Sequence, residues 1–431
     1  MRSLVSISRP PLPPALRYPA FRTFWLGTIA SITGYQILII TQGWLIYYLT
    51  DSTLFLGYTG LASSIPTIFL SLFGGVIADR VDRRLLLAGA ETVSAGLVFL
   101  LGTLTLLDVV QEWHVLFIAF VSGLVWAFAG PAHEALYPQL VEPKVISSAV
   151  ALDASVWSGT RIFAPMVAGL IIEHVGSTER VGMAVAFYVA GAGLLTMAAV
   201  VSSLKVAPVK GKPNGSPARE MLEGIKFIRN NSIFSFLIAM SFFNSFFGMS
   251  YVMLMPVFAR DILQIGPDGQ GVLFMFSGIG ALATSLWMST IGNTPHRGLL
   301  LIGGAIMAGF SIATFALTSD YVGSYFLAMA IMVVMGVFNT MYLNSIMSSL
   351  QILVPDDMRG RVMGTYAMTW SLMPLGGMQA GAIANFIGAP VAVAIGGLAV
   401  SAFAIGPAMI NSRIRNLGGL VRQTELASAT P

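Results

Sequence analysis

Cysteine is absent from the 431 residues, and charged side chains make up only 10% of them. Without a thiol the chain forms no disulfide, no thiolate zinc site and no cysteine-ligated iron–sulfur cluster. A water-soluble domain carries about a quarter Asp, Glu, Lys and Arg, so the scarcity of charge excludes a soluble enzyme and a disordered regulator alike. Histidine is sparse too: His114, His133, His174 and His296 lack ligand spacing, and no metal is expected. There is no Gly-rich phosphate-cradling loop ending in Lys-Ser or Lys-Thr and no serine-centred nucleophile elbow. Neither nucleotide drive nor hydrolase chemistry is therefore expected, and no cofactor is implied.

What is abundant is apolar. Hydrophobic residues reach 56% and mean hydropathy is +0.80. Twelve runs are long enough to cross a hydrocarbon core as helices, near 24–48, 55–77, 85–107, 113–132, 146–172, 181–204, 232–258, 269–291, 298–318, 321–348, 361–386 and 389–411. Interior prolines such as Pro66, Pro165, Pro256 and Pro374 fit membrane helices, where neighbouring helices re-satisfy the freed backbone groups.

The formal charge of +4 is read by position. With the N-terminus inside, 20 of the 23 Lys and Arg fall in inner segments; only Arg180 and Arg260 fall outside, and Arg161 lies within a span. Positive residues are retained on the cytoplasmic side, so this asymmetry predicts an even span number, a plasma (inner) membrane protein and both termini in the cytoplasm. The spread over seven anchors also argues against a nucleic-acid partner.

The longest polar interval falls midway. Residues 1–23 read as a cytoplasmic tail, 24–204 as a six-helix bundle, 205–231 as a Gly/Pro/Ser/Lys-rich linker continued by an interfacial helix around 218–229, 232–411 as a second bundle and 412–431 as a second tail. The halves look alike. A shift of 214 places Arg83 to Gly89 on Arg297 to Gly303, and a near-identical shift places Leu140-Val141-Glu142-Pro143 beside Leu353-Val354-Pro355-Asp356. The expected fold is an all-α membrane protein of two pseudo-symmetric six-helix bundles, an architecture of monomeric transporters with a small-molecule site at the bundle interface.

The segment Gly74-Gly75-Val76-Ile77-Ala78-Asp79-Arg80-Val81-Asp82-Arg83-Arg84 follows the second span. On composition alone it is a basic loop that fixes topology, or a site where acid and base pair at a helix end. Through Gly75, Asp79, Arg80, Arg83 and Arg84 it resembles the signature loop of the major facilitator superfamily, departing from it at Asp82, where the pattern has Gly. Phe21-Arg22-Thr23-Phe24-Trp25-Leu26-Gly27, Gly43 to Thr50, and Pro131-Ala132 with Leu136 to Val141 resemble the drug and siderophore efflux branch. The resemblance implies a conformational latch, with Asp79 set against the cytoplasmic end of the eleventh helix near Arg359 and Arg361. It also implies alternating access, driven by an ion gradient, with protons as partner.

In the fifth span, Ser155, Ala164, Pro165, Ala168 and Gly169 resemble a degenerate antiporter motif, with three glycines replaced by other small residues; close helix packing is the alternative reading. Arg161 lies about 22 Å along this helix at 1.5 Å per residue, near the bilayer centre. It either contacts an anionic substrate or relays coupling, or it forms a structural ion pair. Glu91, Asp153 and Glu134 are candidate proton carriers, or else neutralise the arginine loop. Gln36, Gln42, Trp126, Trp157, Asn244, Tyr251, Asn339, Tyr342 and Trp370 are candidates for the cavity, or for interhelical contacts. The expected function is export of a small amphipathic organic compound in exchange for protons. Import of a nutrient is the alternative, and a non-transporting sensor the remote one.

Overall fold

The computed structural model describes residues 13–205, 217–291 and 297–410, with Gly419; all its regular elements are helical. Residues 1–12, linker residues 206–216 and most of the C-terminal tail lie outside the described residues. The first half comprises α1 (Pro19–Thr50), α2 (Thr53–Arg80), α3 (Arg83–Leu106), α4 (Glu112–Leu136), α5 (Ile146–His174) and α6 (Glu179–Ser203). The amphipathic α7 (Pro217–Arg229) precedes α8 (Ser232–Phe243), α9 (Ser250–Val257), α10 (Gly266–Ile291), α11 (Arg297–Tyr321), α12 (Tyr325–Leu353), α13 (Asp356–Trp370), α14 (Met373–Ile387) and α15 (Ala389–Ile410). Large apolar side chains such as Phe69, Phe326 and Phe386 are 70%, 80% and 85% exposed. Water would penalise that exposure, and lipid does not.

Two spans depart from the continuous helices expected. The seventh is interrupted by π turns at Asn244–Gly248 and Phe258–Ile262, the second just after Pro256, whose missing N–H disrupts the ladder. The eleventh starts at Asp356 and splits into two 15-residue helices, because Pro374 fits the first turn of a new helix but not the middle of an old one.

Packing repeats between the halves. In the first, α2 lies against α4 and α3 against α6; in the second, α10 lies against α12 and α11 against α15. A Cβ on Gly123 would overlap the Ser63 carbonyl, and one on Gly336, 213 residues later, the Ser277 carbonyl. The seams between halves also interchange. Gly57 abuts Met378 as Gly271 abuts Met166, and Gly381 abuts Thr53 as Gly169 abuts Pro267. Tyr47 and Asp261 are 214 residues apart and hydrogen-bond each other. Residues related by a twofold meet only at its axis, so this pair marks where the axis emerges.

Cross-half polar contacts gather at the end away from α7. There Arg260 Nη1 lies 2.7 Å from Asp51 Oδ1, Thr53 Oγ1 donates to the Gly381 carbonyl at 3.0 Å, and His174 faces Asp268 at 3.7 Å. The two halves are thus zipped at one end around α5–α10 and α2–α14.

Candidate functional site

Arg161 sits midway along the 29-residue α5, and its side chain is exposed. Its guanidinium lies 5.9 Å from the Trp370 ring centroid, and Tyr251 interacts with it electrostatically. Both aromatics belong to the other half, and both stand beside breaks. Trp370 closes α13 where the eleventh span splits, and Tyr251 follows the π turn of the seventh. A cation–π contact is worth about 0.5–2 kcal/mol. A guanidinium at bilayer depth costs at least about 2.5–3.5 kcal/mol, so the aromatic leaves part of that cost uncompensated. Among the described residues no Asp or Glu lies within ion-pair distance of Arg161, and none of its N–H groups has a hydrogen-bond partner.

One turn further, Pro165 and Gly169 lie in the seam against α10, where Pro165 and Met166 meet Gly271, Gly169 meets Pro267, and Ile162 meets Gly278, while Ala164 and Ala168 are buried. Small side chains let the two backbones approach where the halves touch. Ser155 is apart from this seam, exposed, with its hydroxyl donating to the Leu152 carbonyl at 2.6 Å.

A second polar group lies within the first half, eight residues along α5 towards its start. A cavity of about 90 Å³, roomy enough for a few waters, is lined by Thr28, Ser31, Glu91, Trp126, His133, Glu134 and Trp157, among others. Glu91 is 8% exposed and accepts from Ser31 Oγ through both oxygens, at 3.0 and 3.1 Å. Buried Asp153 faces His133 Nε2 at 3.6 Å, and Thr28 Oγ1 approaches the same nitrogen at 3.4 Å. Ligand atoms of His133, Glu134 and Asp153 lie within 4.8 Å of one another, so this imidazole and two carboxylates are the residues that could hold a divalent ion. Their 19- and 20-residue separations along the chain conceal the group, and His133 was missed as a member of it.

Glu91, Glu134 and Asp153 are also the candidates for neutralising the arginine loop, of which the Arg80 side chain lies outside the described residues. Among the described residues none of the three has a Lys or Arg partner. The arginines instead satisfy helix-end carbonyls: Arg83 Nη1 donates to Ala135 at 3.1 Å, and Arg84 Nη1 donates to Leu204. Asp82, the departure from the signature, accepts from the Arg84 N–H at 2.9 Å and caps α3. Gly75, Asp79 and Arg80 lie in α2, and their side chains fall outside the described residues. Of the two expected partners of Asp79, Arg361 pairs with Glu223 of α7 at 2.9 Å, and Arg359 reaches the Val354 carbonyl at 3.4 Å.

The remaining cavity candidates divide. Trp126 stacks on Tyr35 at 4.9 Å and meets Trp157 edge-on at 6.1 Å, and Gln36 is half-buried. Gln42 is instead buried and donates to the Val115 carbonyl at 3.2 Å, joining α1 to α4. Tyr342 is fully buried in the second half's core, away from any open space. Asn244 is 1% exposed and packs at its π turn against the Gly248 backbone; its Nδ2, like Asn339 Oδ1 and the Tyr342 hydroxyl, has no hydrogen-bond partner.

Comparison with known proteins places this geometry. The family model described as transmembrane secretion effector matches residues 10–425. Macrolide efflux protein A of Streptococcus pyogenes is 26% identical over 409 residues, covering 92% of this chain and 97% of that one. The enterobactin exporter EntS of Shigella flexneri is 23% identical over 350 residues, 81% of each chain. Among solved structures, a bacterial homologue of the human lysosomal transporter Spinster, inward-facing and unoccupied, superposes with a TM-score of 0.67 at 13% identity, over 96% of this chain and 98% of that one.

Proposed function

The chain belongs to the transmembrane secretion effector family of the major facilitator superfamily, a multi-pass membrane transporter rather than an enzyme, and from that premise we propose that it exports a small amphipathic organic compound in exchange for protons. The relatives act on a macrolide and on enterobactin, and compounds of these two kinds are the substrates to try first. The observation that carries the reading is the placement of Arg161. It lies between two halves whose cross-half polar contacts among the described residues gather at one end, at midplane depth, where a rocking motion exposes one site to each side in turn. With both termini in the cytoplasm of a plasma-membrane protein, the zipped end faces outward and this conformation is inward-facing.

Proton exchange is supported by the pocket of Glu91, His133 and Glu134, with Asp153 against His133. Three carboxylates without a Lys or Arg partner among the described residues call for a mobile cation, and a proton binds there and leaves again with small rearrangement. The transporter works as a monomer in this reading. The test is efflux in inverted vesicles of known sidedness. Uptake of substrate into such vesicles should require an imposed proton gradient. Uptake that persists after the gradient is collapsed removes proton drive, and accumulation in the opposite direction replaces export by import.

A further inference from the structure

We infer that Arg161 and Trp370 together form an anion subsite, so that the exported compound is an amphipathic anion: an aromatic or otherwise apolar body carrying a carboxylate, catecholate or similar group. This rests on the export reading and narrows its substrate. Arg161 is the one Lys or Arg that falls near the middle of a span rather than at its end, and its five N–H donors meet no acceptor and no acid among the described residues. The Trp370 face, 5.9 Å away, screens the guanidinium without using a donor, and leaves its planar fork open to an oxygen pair. Tyr251 and Trp370 supply apolar walls for the body of the ligand. The two groups come from opposite halves, so a bound anion bridges them and its departure frees both. A cationic amphiphile of equal size meets an unpaired like charge at this position, which disfavours it.

The experiment uses the full chain in lipid nanodiscs and three matched probes: naphthalene-2-carboxylate, its neutral carboxamide and 2-naphthylmethylammonium. Binding is read by calorimetry against empty nanodiscs. The carboxylate should bind at least tenfold tighter than the amide, and the ammonium weakest. Arg161→Gln should erase the preference for carboxylate over amide while leaving the amide's affinity within about twofold, and Arg161→Lys should retain part of it. Trp370→Ala should weaken carboxylate and amide alike. Equal binding of carboxylate and ammonium by the wild type overturns the inference, as does a uniform loss of all three on Arg161→Gln, which marks a structural role. Because the wild-type ranking decides by itself, a poorly folded variant does not rescue the idea. Vesicle efflux is measured separately. Anion-selective binding without efflux defeats the export reading and spares the site, and efflux of cations alone defeats the site and spares the reading.

Discussion

The two halves share a packing plan and differ in what fills it. At the α7 end of the first half, Glu91 and His133 line a small cavity, and Asp153 faces His133. The equivalent positions in the second half, 213 or 214 residues on, are Ala305, Ile346 and Tyr366, all buried in one apolar cluster. The glycine contacts that hold the helices together are duplicated, as in Gly123 on Ser63 and Gly336 on Ser277. Close backbone approach is what keeps two bundles the same shape, whereas side chains beyond the seam are free to diverge. The difference teaches that one half carries the titratable groups and the other a rigid apolar counterpart, with Arg161 reaching across between them.

The largest effect expected on that comparison is from Asp153→Asn, which should lower proton-driven efflux about 100-fold, near 2.7 kcal/mol at 1.36 per tenfold. Tyr366→Phe at the equivalent position should change it less than about twofold. Vesicle uptake with an imposed gradient measures both, and equal effects would abolish the distinction between the halves. Next come Gly123→Val and Gly336→Val. Each forces a branched side chain into a neighbouring carbonyl and should destabilise by about 1–3 kcal/mol, seen as similar falls in thermal midpoint; a large effect in one half alone breaks the packing equivalence. Asp261→Ala removes the acceptor at the pseudo-twofold axis and weakens the zipped end. By typical coupling energies it should shift the equilibrium away from the described conformation by about 1–2 kcal/mol, read by labelling a cysteine placed at residue 53 from the side the zipped end faces. The smallest change is expected of Glu223→Gln. The Glu223–Arg361 pair is partly exposed, and its loss should alter stability by no more than about 1 kcal/mol. A larger loss would mean that α7 is held chiefly through this ion pair rather than through buried Ile228.

Much of the scaffold was readable in advance, for particular reasons. The run at 146–172 became α5 over Ile146–His174, and the interfacial stretch at 218–229 became Pro217–Arg229, because apolar length and amphipathic spacing each leave one low-energy arrangement at a membrane. The breaks in the seventh and eleventh spans were less legible. Pro256 and Pro374 announce a disturbance, yet a proline in a membrane helix is compatible with a bend, a π turn or a full split, and the choice depends on what packs around it. Asp82 looked like a blemish in a motif until its carboxylate was seen capping α3. Gln42 and Tyr342 looked like cavity residues from their polarity, but which way a side chain faces is set by the rotation of its helix.

Sequence by itself determined a twelve-helix membrane fold and the likeness of its two halves, with helix ends placed to within a few residues. The reason is that a lipid core leaves backbone amides no partner but their own helix, so every crossing must be written as an apolar run. Tertiary structure alone decided that His133 meets Asp153, that Arg361 turns to Glu223, and that Arg161 stands against Trp370. Those meetings join residues on different helices, and they exist only once helix rotation and the approach of the two halves are settled.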